Sequence, residues 1–426
     1  IEGTTIDEVL TVGETVQAVG DDPYWITTLE HSSSEPSSVR GIAFDNSGGI
    51  YVAGQEQSVD NAAYVAKFNG TGSIEWQKSL NHHGANEEAQ DVAVDSSNNV
   101  YFCGYSAKAG NNGGIVVKYN NSGTLQWQRL LSSTIGTAMG MALETDSSDN
   151  VIAVGYTPIG ISESQTSGVL IAKYNSSGVL QWARTLDQEG SGWSPNKYEY
   201  GYGIAVDSSD NIYVCGEAGN SYGSTDCLIA KYDSSGNIQW QKLLGDQNTA
   251  SEDRFRGVTV DSSDNIYVVG HSQKHTNNDD TLVVKYDTSG NLVWQKYIQN
   301  GAKGRSIDTD SSGNVYVLSE NLRDVGEGGS DFYIAKFDSS GNVEWQRALG
   351  GANNDESYSL RLDPSGNLYI GGTTRSPSSN TYTQGLLFKI PTDGSMVGTY
   401  GGLTYQSVSL NAGSSTLQDR IADFTD

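Results

Sequence analysis

Residues 256–273 read RGVTVDSSDNIYVVGHSQ, and after a gap residues 281–298 read TLVVKYDTSGNLVWQKYI. Four short runs rich in β-branched and aromatic residues stand out: GVTV, NIYVVG, TLVVKY and LVWQKYI, here named strands a to d. The pattern begins again near Arg40, Gln90, Met139, Tyr202, Lys303 and Tyr358, which makes seven copies. Trp76, Trp127, Trp182, Trp240, Trp294 and Trp345 mark the ends of six, 51 to 58 residues apart. Four antiparallel strands in a repeat of this length describe a propeller blade, a unit that cannot bury both faces without neighbours. The expected fold is all-β: a seven-bladed β-propeller of four-stranded antiparallel blades, one ring rather than several domains.

Two turns punctuate each copy. The a–b turn reads DSSDN or a variant, and its Asp recurs as Asp45, Asp95, Asp146, Asp207, Asp261, Asp310 and Asp363. An Asp side chain there can accept a hydrogen bond from the backbone two residues on. The fourth position holds Gly48, Asn98, Asp149, Asp210, Asp264, Gly313 and Gly366, residue types that tolerate positive φ. The c–d turn carries Gly in every copy, from Gly72 to Gly394. The strand-d Trp is expected to pack over the adjacent blade.

The seventh copy lacks its Trp: it ends KIPTDGSMVGTYGG, with Gly398 where the ring should be. Near the start of the chain, DPYWITTLE (residues 22–30) matches WQKSL and WARTL from its Trp25 onward. Residues 24–30 are therefore expected to supply strand d of the last blade and close the ring, removing two sheet edges. The competing assignment gives that strand to residues 395–401. Residues 1–22 fall outside the repeat as an N-terminal linker or extension, the propeller spans 23–395, and 396–426 form a Ser/Thr-rich C-terminal extension.

The net charge of −26 disfavours nucleic acid and anionic membrane as partners. No apolar run approaches the ~18 residues of a membrane span. No signal peptide is visible, and the first residue is Ile, so the chain reads as a processed product or an excerpt. Three cysteines make no disulfide framework. Cys103 and Cys215 stand where other copies carry Ala53, Val154, Val269, Leu318 and Gly371, which reads as small buried residues. A Cys215–Cys227 pair across one hairpin stays open.

On the stretches DSSGN, NIYVVG, AKYDSSGN and WQ[KR], the chain resembles the seven-bladed β-propeller (SBBP) repeat family over residues 23 to about 395. The resemblance implies a propeller module of a bacterial cell-surface protein or of a marine cyanobacterial phage virion protein. The tail LTYQSVSLNAGSSTLQDRIADFTD is similar to Ser/Thr-rich stretches that follow propellers in those phage proteins. The family supplies no catalytic residues to transfer.

Enzyme signatures fail on spacing. Quinoprotein-type propellers also set a Gly four residues before a strand-d Trp, as Gly290 and Trp294 stand here, but their acidic residue precedes that Gly by four, whereas Asp287 precedes it by three. Sialidase Asp-boxes have a Gly–Trp interval one residue shorter. Nucleophile elbows, HExxH and EF-hand loops are absent. The DSSDN turns lack the alternating ligands of a calcium loop. His271 and His275, like His82 and His83, read as solvated loop residues, and the two pairs fall nearly opposite in a seven-fold ring. No cofactor and no metal are expected. Lys67, Lys118, Lys173, Lys231, Lys285, Lys336 and Lys389 share one strand-c position, and Lys78, Arg129, Arg184, Lys242, Lys296 and Arg347 share one strand-d position. Thirteen of 25 cations thus form a structural ladder with their stems on the sheet.

The a–b and c–d turns are short and lie at one end of the ring; the b–c and d–a loops vary and lie at the other, the end expected to bind. The longest d–a loop, 187–201, reads DQEGSGWSPNKYEYG. Trp193, Tyr198, Tyr200 and Tyr202 in and just after it are the candidate recognition residues, because large rigid aromatics dominate binding hot spots. The competing reading makes them anchors of the loop. The expected function is a non-enzymatic structural and adhesive module at a virion surface or otherwise extracellular. Its expected partners are other virion or surface-assembly proteins, or a host glycan or receptor. A bacterial secreted or surface adhesin is the alternative, and a glycan-active enzyme a third reading.

Overall fold

In a computed structural model, the structure describes residues 5–6, 10–17, 24–31, 36–56, 61–80, 86–107, 113–131, 137–159, 166–187, 198–220, 223–245, 251–274, 279–299, 302–322, 328–376, 383–400 and 403–421. Seven antiparallel sheets form a propeller, each with the strand order a-b-c-d. Blade 1 is Ser37–Phe44, Ile50–Glu56, Ala62–Phe68 and Ile74–Leu80. In blade 7, Trp25–His31 pairs antiparallel with strand c, Gln384–Ile390, so the N-terminal strand closes the ring. Within residues 395–401, the competing choice for that strand, Gly398–Tyr400 pairs instead with Leu403–Ser407.

Strands b and c are buried along their whole length in most blades because both faces meet neighbours, which is why they read as continuous apolar runs. The apolar clusters each join two blades: Val154 and Ile171 of blade 3, for example, pack with Val214 and Leu228 of blade 4. The Trp and the c–d Gly explain each other. Trp127 Nε1 donates to Ser176 O of the next blade at 3.1 Å. Its ring lies so close over Gly178, at φ 76°, that a Cβ there would approach it to 2.8 Å. Trp25, Trp76, Trp182, Trp294 and Trp345 make the same bond one blade on.

The a–b turn is built as its residues predict. Asp45 Oδ1 accepts from Ser47 N at 2.8 Å and Gly49 N at 2.7 Å. All seven fourth-position residues have positive φ, between 59° and 85°. The strand-b Tyr and the strand-c Lys complete the carboxylate's shell: Tyr101 Oη lies 2.9 Å from Asp95 Oδ2 and Lys118 Nζ 3.3 Å from it. The strand-c lysines thus point at turn carboxylates and lie over tyrosine rings.

The cysteines are as first read, with the open pairing excluded, and one histidine differs from the sequence reading. Cys215 and Cys227 are free and buried, since Cys227 faces Glu217 across the hairpin and Cys215 faces Ile229. His271 is not a solvated loop residue: it lies in strand b of blade 5 at 1 % exposure, and burial followed by the nearby Arg254 and Arg256 holds its pKa well below the usual value. His82, His83 and His275 lie outside the described residues.

The described parts of both extensions form strands on the outer blade edges. Thr5–Ile6 pairs with strand d of blade 1, and Leu10–Gln17 with Trp25–His31 of blade 7. From the other terminus, Leu403–Ser407, Ala412–Ser414 and Gln418–Ile421 pair in turn with strands d of blades 6, 5 and 4.

Candidate functional site

Every strand a contains a β-bulge near its start. The register slips between Val39 and Gly41, Ala89 and Asp91, Gly140 and Ala142, Gly201 and Gly203, Phe255 and Gly257, Gly304 and Ser306, and Ser357 and Ser359. The extra residue is re-aimed out of the ladder, a use bulges often have beside active sites. Here the re-aimed residues are Arg40, Gln90, Met141, Tyr202, Arg256, Arg305 and Tyr358, and all seven line one cavity of about 100 Å3 in the central channel. The bulges lie toward the end with the variable loops, so the chain's irregular face and its channel mouth coincide.

Strand a can approach the axis because small residues follow the bulge. A Cβ on Gly41 would come within 2.7 Å of Asp91 Cα in the next blade. Three arginines gather at the mouth of a chain that carries 51 acidic residues. Arg40 is held by Glu88 at 2.8 Å, and Arg305 by Glu320. Arg256 stands over the Tyr202 ring, 4.2 Å from its centroid, and pairs with no carboxylate among the described residues. Burial, then the charges of Arg305 and Arg254, lower its pKa, although Tyr202 and Glu217 pull it the other way. It is the least compensated cation of the mouth. Arg40 likewise lies over Tyr358, 5.5 Å from the centroid.

Of the residues singled out from the sequence, Tyr198, Tyr200 and Tyr202 are described and Trp193 lies outside the described residues. The three tyrosines form a stacked series along the start of strand a in blade 4. Ring centroids are 6.1 Å apart for Tyr198–Tyr200 and 6.0 Å for Tyr200–Tyr202, with interplanar angles of 10° and 25°. Tyr156 of blade 3 meets Tyr200 edge-on at 4.6 Å. Tyr202 Oη donates to Glu217 at 2.6 Å and carries the series to Arg256. An aromatic shelf thus leads from the longest variable loop to the cationic mouth. The arginines were missed in the sequence, although the residue just before the G, D, A or S of strand a reads R, Q, M, Y, R, R, Y when the copies are aligned.

Deeper in the channel Arg361 faces Asp91, Glu144 and Asp308, whose charges raise its pKa against burial. Burial pushes those three carboxyls up. Asp91 and Asp308 each accept an amide of the following blade, Leu143 N at 3.2 Å and Leu362 N at 2.8 Å. These acids therefore tie strands together. Among the described residues no group of three His, Cys, Asp or Glu side chains is arranged to hold a metal ion.

The chain is 27% identical over 111 residues to the regulatory protein FlaEY of Caulobacter vibrioides, a stretch covering 23% of this chain and 12% of that protein. It is 25% identical over 230 residues to an uncharacterized WD repeat-containing protein, L264, of Acanthamoeba polyphaga mimivirus, covering 43% of this chain and 15% of that one. A solved structure of a Dyadobacter fermentans protein of unknown function aligns with a TM-score of 0.49 at 10% identity, over 84% of this chain and 96% of its own. The β-propeller repeat model SBBP matches residues 192–223 and 239–275, in blades 4 and 5, whose pattern the other five blades repeat. The chain is a seven-bladed β-propeller whose fourth and fifth blades match the SBBP repeat.

Proposed function

We propose that this propeller is a non-catalytic recognition module that binds a carboxylate-bearing saccharide at its channel mouth. The observation that carries this is the ring of bulges, which brings Arg256, Arg305 and Arg40 to one cavity beside a stacked tyrosine shelf. A guanidinium is suited to a carboxylate through paired, charge-assisted N–H···O bonds. Tyrosine rings offer flat apolar faces to a sugar and keep a polar tip for its hydroxyls. The proposed setting is extracellular: an appendage of a phage virion, which the likeness of the Ser/Thr-rich tail favours, with a bacterial surface adhesin as the alternative. A protein partner would use the same variable-loop face.

The test is calorimetric titration of the whole chain with acidic and neutral oligosaccharides of matched length. Arg256→Gln is expected to weaken binding of the acidic ones at least tenfold, about 1.4 kcal/mol or more, and to leave the melting temperature unchanged. Acidic and neutral saccharides binding alike, or wild-type affinity in Arg256→Gln, would refute this reading. Release of shortened saccharide during the titration would refute its non-catalytic part.

A further inference from the structure

The C-terminal extension follows one rule. Leu403, Leu410 and Leu417 stand seven residues apart, and seven extended residues span about 23 Å. Each enters the cleft between two blades: Leu403 joins the apolar cluster of blades 6 and 7, Leu410 that of 5 and 6, and Leu417 that of 4 and 5. After each anchor a short strand pairs with strand d just beyond the Trp. The Gln that follows the Trp grips the anchor's backbone: Gln346 Nε2 donates to Leu410 O at 3.2 Å and Gln295 Nε2 to Leu417 O at 3.0 Å. The strand-d cation is also met, as Lys242 Nζ lies 2.9 Å from Asp419 Oδ2. Together the two extensions edge blades 1, 7, 6, 5 and 4.

Blades 2 and 3 end differently. Their strands d, Leu125–Leu131 and Leu180–Leu186, pair on the outer side with no described strand. Yet they hold the shape of an occupied edge. Arg347 in blade 6, which carries its extra strand, donates Nε to Gly394 O at 3.0 Å and Nη1 to Gln346 O at 2.8 Å. Arg129 makes the matching bonds to Gly178 O and Gln128 O at 2.7 and 2.8 Å, and Arg184 to Gly236 O and Ala183 O at 2.8 and 2.9 Å. Leu130 of blade 2 is half-buried, whereas two of its counterparts beneath added strands, Leu243 and Ala348, are 4 % and 1 % exposed and the third, the larger Tyr297, is half-buried. An uncovered edge strand is a template for pairing, and proteins use such edges to capture extended peptides.

We propose that the outer edges of strands d in blades 2 and 3 form one docking site for an extended strand of a partner protein. That strand carries an apolar residue at every seventh position, small or hydroxyl residues between, and a carboxylate to meet Arg129. The apolar residues enter the clefts on the blade 3–4 and blade 2–3 sides, and the backbone adds a fifth strand to each sheet. The occupied edges of blades 4, 5 and 6 supply the template, and the site continues that interface around the ring. It is independent of the channel mouth, so either can fail alone.

Hydrogen–deuterium exchange on the full chain tests this with the synthetic peptide LNAGSSTLQDRI, the sequence of residues 410–421. The peptide is expected to slow exchange of the outward amides within 128–131 and 183–186 at least tenfold. A peptide with Leu410→Ser and Leu417→Ser is expected to give no protection, and one with Asp419→Lys to bind the Arg129→Glu protein better than the wild type. No protection at saturating peptide would overturn the proposal. So would edges as protected without peptide as those of blades 4 and 5, because this chain would then fill the site itself. Protection that instead rises with protein concentration alone would overturn it in favour of a second copy.

Discussion

Trp25→Ala is expected to destabilise the protein by ~3–5 kcal/mol, the usual cost of truncating a buried aromatic. Trp25 is 2 % exposed, whereas Trp294 at the equivalent place in blade 5 is half-buried. It serves two blades at once. Within blade 7 its strand pairs with Lys389 to Gly385 and its ring meets Tyr369 edge-on at 6.0 Å. Across the seam its Nε1 donates to Gly70 O of blade 1 at 3.2 Å. The ring is therefore closed by strand pairing and by the repeated Trp-over-turn contact in one residue. Trp294→Ala should cost less, because less surface leaves the core. Deleting residues 1–31 goes further: it bares the edge of Gln384–Ile390, a strand buried along its length, and should yield aggregates on gel filtration. Thermal and denaturant unfolding check the substitution. A Trp25→Ala protein that melts with the wild type would refute the closing role.

What could be read in the sequence was whatever repeats locally. The Asp turn, the Gly turn and the Trp each recur at fixed offsets because each solves a short-range problem, and seven copies make the offsets visible. Closure was legible for the same reason: a missing Trp at Gly398 and a surplus one at Trp25 are two halves of one pattern. The channel mouth was not read, because a bulge breaks the two-residue alternation on which strand faces are assigned. Arg256 then looks like an ordinary turn-proximal cation. Tyr198, Tyr200 and Tyr202 were visible by their i, i+2 spacing, but their junction with Arg256 depends on the neighbouring blade. The edge strands hid behind composition. A tail of Ser, Thr, Asn and Gly reads as a linker, while its three leucines at intervals of seven keep step with the blades, a period set by the ring and not by any one strand.

Asp146→Ala is expected to cost ~3–5 kcal/mol at neutral pH, because it strands a largely buried ammonium as well as breaking a turn. Asp146 Oδ1 accepts from Ser148 N and Asn150 N, each at 2.9 Å, and Oδ2 lies 2.7 Å from Lys173 Nζ. Burial alone would push this carboxyl's pKa up, but the bonds from Lys173 and Asn150 outweigh it, and the pKa falls below its ordinary 3.8. A lowered folded pKa gives stability that is present above the unfolded value and is lost as the pH falls through the folded one. Asp45, Asp207 and Asp261 are lowered in the same way, so several blades lose their turns together in acid. The channel acids act with opposite sign. Asp91, Glu144 and Asp308 are raised by burial, and outside the channel burial also raises Asp355, to about 6. Their contribution is full below the unfolded values and is lost as the pH rises through the folded ones. Acidification also relieves the self-repulsion of 26 net negative charges. Stability should therefore rise from pH 7 toward about 4.5 and fall steeply below about 3.8. The difference between wild type and Asp146→Ala should be largest above pH 5 and shrink in the acid limb, where the wild-type carboxylate is protonated too. Urea unfolding at pH 7, 5 and 3 measures this, and a difference as large at pH 3 as at pH 7 would show that Asp146 holds the turn by shape rather than by charge.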